Sequence, residues 1–338
     1  FKCGGSSESG LHQRQEFDTP VAVQFLDLYA LMQTPAAELL RDPDFRERLA
    51  PAFVTRFRRT TWNVEIHPGE TAELALDQGE VIAGTTSTPI SEVEIELIEG
   101  DPVHLFDFAK RLLADVPLRL GNVSKAERGY ALLTPSAPAP VRAAPVELAN
   151  EQAVVASFAA VATACLRQLD ANERGLLDSD DTEYVHQARV ALRRLRSAVG
   201  AFRPVAPRET MGPLLDRLRE LGNALGGCRD WDVFLTETLP PVEAALPDEL
   251  SLATLRAAAE SRRDAARAPA RAVVGSDDYT ALLLDVAAAL TRLARTPEDS
   301  AEASRTADVE VAADDDATIV DGADAAVPDP TIVTADAP

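Results

Sequence analysis

The residues best suited to chemistry in this chain are carboxylates that recur at every second position. In Ser91-Glu92-Val93-Glu94-Ile95-Glu96-Leu97 the two-residue period of a strand sets Glu92, Glu94 and Glu96 on one face and Val93, Ile95 and Leu97 on the other. Ala72 to Asp77 repeats this, with Glu73 and Asp77 opposite Leu74 and Leu76, and Trp62 to His67 sets Asn63, Glu65 and His67 against Trp62, Val64 and Ile66. Two architectures produce such alternation. One is a half-buried antiparallel sheet with a solvated outer face. The other is a closed barrel whose polar faces line a tunnel, where carboxylates hold Mg²⁺ or Mn²⁺ through hard oxygen ligands while Arg and Lys hold phosphates. Alternation alone does not separate them.

A second constellation is cationic and helical. Within Tyr184 to Phe202, Leu192, Leu195, Val199 and Phe202 follow the spacing of a buried seam. His186, Arg189, Arg193 and Arg196 repeat that spacing about a third of a turn away. The stripe is either a solvated face or a place where an anion lies across side chains that otherwise repel one another. Arg194 points to its flank.

The elements that must position these groups follow from pattern. Residues 1 to 50 are poorly periodic, with helix-like pieces at Phe25 to Met32 and Ala37 to Leu49. Phe53 to Leu133 reads as strands with one helix near Leu105 to Leu113, punctuated by Pro68-Gly69, Gln78-Gly79 and Glu99-Gly100-Asp101. Residues 134–145, rich in Pro and Ala, read as a semi-rigid linker. From Val146 to about residue 297 the pattern is helical, separated by Pro204, Pro207, Pro240-Pro241 and Gly275. The expected fold class is therefore α+β, an antiparallel strand domain over 1–133 and an all-α bundle over 146–297, with a disordered acidic tail at 298–338.

Two family resemblances rest on these segments. The series FVTRFRRTTW, AELALDQGEVIAG, PISEVEIELIEGD and SKAERGYAL resembles the later strands of the CYTH family of triphosphate tunnel metalloenzymes. The resemblance implies a tunnel barrel that hydrolyses inorganic triphosphate, or a related triphosphate, with Mg²⁺ or Mn²⁺. It marks Glu92, Glu94 and Glu96 as metal ligands, and Arg59, Lys125, Arg128, Glu73 and Asp77 as catalytic or substrate-holding groups. Strand period puts Arg56 and Arg58 on the face opposite Arg59, so which of them faces the tunnel is open unless a bulge decides it. His67 and His104 are read as surface or core histidines. The segments VHQARVALRRLRSAVGAFRP and LGNALGGCRDWDVFL resemble the CHAD family of helical modules, which implies polyphosphate binding by His186, Arg189, Arg193, Arg196 and Arg229. Asp230 and Asp232 are read as acids near a helix start.

Departures from both families shape the expectation. The opening E-x-E-x-K strand of CYTH proteins is not found before Phe53, and a second basic helical repeat is not found after Leu293. With Phe1 rather than Met first, the 338 residues read as a piece of a longer frame with both domains truncated, and the tail as native disorder or a frameshift. The two resulting readings are a triphosphatase with a polyphosphate-binding module, and a non-catalytic polyphosphate-binding protein with an inactive barrel, localised on polyphosphate granules. Nucleic acid fits less well, because no aromatic stacking platform accompanies the stripe.

Composition sets bounds on all of this. A net charge of −22 opposes polyanions, yet about half of that excess lies after Pro297, while basic residues cluster at 56–59, 189–196 and 262–271. No apolar run approaches the roughly 20 residues that cross a bilayer, and no secretory leader opens the chain. Cys3, Cys165 and Cys228 form neither a metal spacing nor a disulfide framework, so the expected compartment is the cytoplasm.

Overall fold

The computed structural model describes residues 2–8, 11–17, 27–134 and 138–295. The expected acidic tail, like residues 18–26, lies outside them. The chain divides into two compact units, Phe1–Leu105 with Arg119–Ala137, and Phe106–Leu118 with Pro138–Pro338. The α+β class is borne out.

The first unit opens with an antiparallel pair, β1 (Lys2–Glu8) and β2 (Leu11–Glu16), where the sequence shows no clear period. Three short helices follow, α1 (Leu28–Leu31), α2 (Ala37–Leu40) and α3 (Pro43–Glu47). The main sheet is an antiparallel meander of β3 (Val54–His67), β4 (Glu70–Ala83) and β5 (Thr86–Glu99). Its turns use Gly69 and Gly84, both at positive φ, where a side chain would be strained. Gln78-Gly79, expected as a turn, instead lies inside β4. There the missing side chain admits the neighbouring strand, since a Cβ on Gly79 would come 2.1 Å from the Arg56 carbonyl oxygen.

After α4 (Val103–Leu113), the SKAERGYAL segment forms a helix, α5 (Lys125–Leu133), rather than the strand expected of it. Its cause is local. The Ser124 hydroxyl accepts from the Glu127 N–H while the Glu127 carboxylate accepts from the Ser124 N–H, a reciprocal cap readable as Ser-x-x-Glu. Helix α5 packs on all three strands of the meander. Gly129 permits the approach, because a Cβ there would lie 2.4 Å from the Phe53 ring, which also meets Tyr130 edge-on at 5.1 Å.

The second unit is helical: α6 (Val154–Asp178), α7 (Thr182–Ala201), α8 (Arg208–Val233), α9 (Leu239–Ala245), α10 (Ser251–Val274) and α11 (Asp277–Arg295). Pro240-Pro241 was expected to break a helix. The two prolines instead open α9, which follows α8 through a π turn at Phe234–Thr238. Phe158, Leu166, Leu169, Leu192, Leu195, Leu218, Leu225, Leu283 and Val286 are among the buried core residues. Contrary to the expectation about apolar runs, α6 is long and apolar enough by composition to cross a bilayer. In the structure its apolar side chains pack against α7 and α11.

Replacing Ser124 with Ala should lower the stability of the first unit by about 1 kcal/mol, the usual worth of such a cap. Thermal unfolding followed by Trp62 fluorescence in a Trp231→Phe background measures it, and an unchanged midpoint would show that α5 is held by tertiary contacts alone.

Candidate functional site

The register of the meander builds the charged site. Arg59 of β3 lies opposite Asp77 of β4, and Asp77 opposite Glu92 of β5. Two residues further along, Ala75 lies opposite Glu94, and two further again Glu73 faces Glu96. All of these share one face of the sheet. Asp77, at 0 % exposure, is its fixed point. The Arg59 guanidinium grips the Asp77 carboxylate with two hydrogen bonds, Nε to Oδ1 and Nη2 to Oδ2, both 2.7 Å, and reaches Glu94 Oε2 at 2.5 Å. Helix α5 brings the remaining cations. Lys125 Nζ lies 2.7 Å from both Asp77 Oδ2 and Glu94 Oε1 and also contacts Glu92, while Arg128 pairs with Glu92. The Phe57 ring lies beneath two of these cations, 5.7 Å from the Arg59 guanidinium and 5.1 Å from the Lys125 ammonium.

Six charged groups thus neutralise one another on a sheet face capped by a helix. Burial pushes the Asp77 carboxyl up, but the hydrogen bonds from Arg59 and Lys125 outweigh it and the net shift is downward. Glu94 follows the same balance, with Lys125 as its main partner. For Lys125 burial favours the neutral amine, yet Asp77, Glu92 and Glu94 together raise its pKa. Oxygens of Asp77, Glu92 and Glu94 lie within 4.8 Å of one another, so this donor set fits a hard divalent cation.

Of the residues marked in the sequence, the structure gathers Arg59, Asp77, Glu92, Glu94, Lys125 and Arg128. Glu73 and Glu96 sit at the far end of the same face, outside that group. Arg56 turns away and lies 3.9 Å from Glu80 on the exposed side. His67 and His104 stack on each other beside Glu70, an arrangement that strand period did not reveal.

On the helical unit the expected apolar seam is present: Leu192, Leu195 and Val199 of α7 are buried. Arg193 and Arg196 are exposed, whereas His186 and Arg189 are half-buried, and Arg189 donates to the Gly222 carbonyl of α8 at 2.9 Å. Arg229 pairs with Glu237 at 3.2 Å. Asp230 and Asp232 lie near the C-terminal end of α8, which corrects the helix-start reading. Gly226-Gly227 does not interrupt the helix, so the acids fall at its other end. Asp232 is fully buried and 3.5 Å from Arg267, and burial raises its pKa despite that arginine. The basic run at 262–271 is partly structural. Arg267 and Arg271 of α10 both bind the Asp180 carboxylate, at 2.8 and 3.0 Å, and donate to carbonyls of the α6–α7 connection.

The comparisons with known proteins agree with this division. The family model for the CYTH domain matches residues 1–130, and that for the CHAD domain residues 160–330. An inorganic triphosphatase of Haemophilus influenzae is 38% identical over 139 residues, which cover 39% of this chain. The chain spans 36% of that relative's length. Among solved structures, the CHAD domain from the plant Ricinus communis is 35% identical, with a TM-score of 0.42, covering 46% of this chain and 52% of that one.

Asp77→Asn should destabilise the first unit by about 2 kcal/mol or more, since it leaves Arg59 and Lys125 facing a neutral amide, with partial solvation of Arg59 limiting the loss. The depressed carboxylates contribute stability that is present above their unfolded values of roughly 4 and lost as pH falls below them. Thermal midpoints of the Trp231→Phe protein should therefore drop with acid. The acid limb should be shallower in Asp77→Asn, and parallel limbs would remove the assigned coupling.

Proposed function

Because the chain belongs to the CHAD family and carries a CYTH domain ahead of that module, we propose that its sheet site hydrolyses inorganic triphosphate or a related triphosphate. The observation that carries this reading is the meeting of Asp77, Glu92 and Glu94 with Arg59, Lys125 and Arg128 on one sheet face. Hydrolysis of a phosphoanhydride needs charge neutralisation and alignment for attack by water, and no side-chain nucleophile. Arg59 and Arg128 suit the planar, two-pronged recognition of phosphate oxygens, and Lys125 supplies a compact charge between them. Asp77, Glu92 and Glu94 would hold Mg²⁺ or Mn²⁺, which when bound supplies charge neutralisation on the phosphate oxygens. Glu73 and Glu96 are proposed as the outer acids of the same face, and resemblance to the Haemophilus triphosphatase supports the substrate class.

Each cation of the site already holds a carboxylate, so binding proceeds by exchange. A triphosphate takes over Arg59, Lys125 and Arg128, and the carboxylates they release are then available to the cation. Substrate and metal should therefore favour each other's binding.

Glu94→Gln removes one charge from this exchange without altering shape, and the fold tolerates it because the side chain is half exposed. Phosphate release from inorganic triphosphate, with Mg²⁺ supplied, should fall by at least about a hundredfold, as for loss of a preorganised charge. Turnover equal to the parent's would remove the carboxylates from the mechanism.

For the helical unit we propose polyphosphate binding by α7, using exposed Arg193 and Arg196 with His186, Arg189 and Arg229 along the flanking surface. The exposure of the two arginines on a helix whose other side is core supports this. In the full chain, the affinity for fluorescent polyphosphate should fall steeply with salt, and the slope should shrink in the Arg193→Ala, Arg196→Ala double variant. An unchanged slope would return the stripe to an ordinary solvated face.

A further inference from the structure

A second group of ligand-type side chains lies at another place on the first unit. His67 ends β3, Glu70 begins β4, and His104 sits in the first turn of α4. The two imidazoles stack with centroids 4.1 Å apart and planes at 5°. Both turn Nδ1 toward the same carboxylate: His104 lies 2.7 Å from Glu70 Oε2 and His67 3.8 Å from Glu70 Oε1.

Several local features hold these groups in place. The strand register shifts between Glu65 and His67, and such a bulge re-aims the side chain that follows it. The Glu65 carboxylate accepts from the Gly69 N–H at 2.9 Å, which ties down the turn between His67 and Glu70. Glu70 Oε2 also accepts from the Asp101 N–H at 3.0 Å. The chain passes so close there that a Cβ on Gly100 would lie 2.4 Å from Glu70 Oε2. Asp101 in turn fixes the start of α4 by accepting from the Val103 N–H at 2.9 Å. The three side chains therefore stand on the ends of paired strands and on a helix start, and the carboxylate between them is anchored.

The geometry points to a binding site for a borderline divalent metal ion of the zinc class, held by His67, Glu70 and His104. One ligand atom from each of the three lies within 4.8 Å of the others. Two imidazoles and one carboxylate form a donor set suited to Zn²⁺, Co²⁺ or Ni²⁺, with room for water in the remaining position. That chemistry differs from the all-carboxylate set of Asp77, Glu92 and Glu94, which favours hard ions. Binding requires both imidazoles in the neutral form, with the ligating nitrogen unprotonated. The stacked rings splay by rotation about their Cβ–Cγ bonds, which turns both in-plane lone pairs onto the ion. An ion there clamps the β3–β4 turn to the start of α4.

The full chain, freed of metal by chelation, is titrated with Zn²⁺ by calorimetry in excess Mg²⁺, and with Co²⁺ by visible absorption. One equivalent of Zn²⁺ should bind despite the Mg²⁺, and bound Co²⁺ should show ligand-field bands. His67→Ala removes a half-exposed side chain at little cost in packing, and should weaken Zn²⁺ binding about tenfold or more, as should His104→Ala. Glu94→Gln should leave Zn²⁺ binding as it is in the parent. Displacement of Zn²⁺ by Mg²⁺, parent-like affinity in both histidine variants, or loss of binding in Glu94→Gln would each overturn the assignment.

Discussion

Close packing of Asp77, Glu92 and Glu94 is the constraint on which the first unit depends. Three carboxylates within 4.8 Å on a sheet face repel one another unless positive charge stands between them. Arg59 supplies part of it from the adjacent strand, but its reach is set by register. The rest comes from α5, which delivers Lys125 and Arg128 from outside the sheet. The Ser124 cap, the bare backbone at Gly129 and the Phe53 ring all bear on where that helix lies, and so on whether the carboxylates are neutralised. The Lys125 ammonium contacts all three acids that together fit a divalent ion. Ammonium and metal thus compete for one set of oxygens, and the proposed hydrolysis depends on a third party, the phosphate, to resolve that competition.

Arginine has a different use in the helical unit. Arg267 and Arg271 spend their donors on Asp180 and on main-chain carbonyls between α6 and α7, and Arg189 binds a carbonyl of α8. Arg267 and Arg271 thereby satisfy backbone acceptors that the C-terminal end of α6 leaves open. A run of basic residues in the sequence is therefore not by itself a polyanion surface. Arg193 and Arg196 project from a helix whose reverse face is core, and they stay exposed.

Strand period was sufficient to group Glu92 with Glu94 on β5 and Glu73 with Asp77 on β4, whereas the choice of Arg59 over Arg56 and Arg58 needed the register that sets Arg59 opposite Asp77. Helix period likewise located the buried seam of α7. What escaped was governed by tertiary context or by local chemistry of another kind. Helix α5 was signalled by Ser-x-x-Glu, but the alternation of the preceding segments drew it into the strand reading. Gly79 looked like a turn because glycine marks both turns and close backbone approaches. Asp232 followed a Gly-Gly pair that a packed helix can absorb, at a cost of about 1 kcal/mol per glycine, and so came to lie at the end of α8. The His67–His104 stack joins residues 37 apart in sequence through a bulge, and no periodicity reports a bulge.

The two anion-handling surfaces proposed here differ in what a ligand must displace. At the sheet site every cation already has an anionic partner, so a weakly charged ligand gains little by exchanging one ion pair for another. A compact polyanion that engages Arg59, Lys125 and Arg128 together, and leaves the carboxylates to a metal ion, offsets that loss. Selectivity for a short, densely charged substrate then follows from the pairing itself. Arg193 and Arg196 are exposed, so the contacts proposed for them with a polymer would be solvated and readily screened. Binding there should be broad in chain length and sensitive to salt, and it operates against the net charge of −22. A chain with that overall charge would hold a polyanion only where cations are locally concentrated.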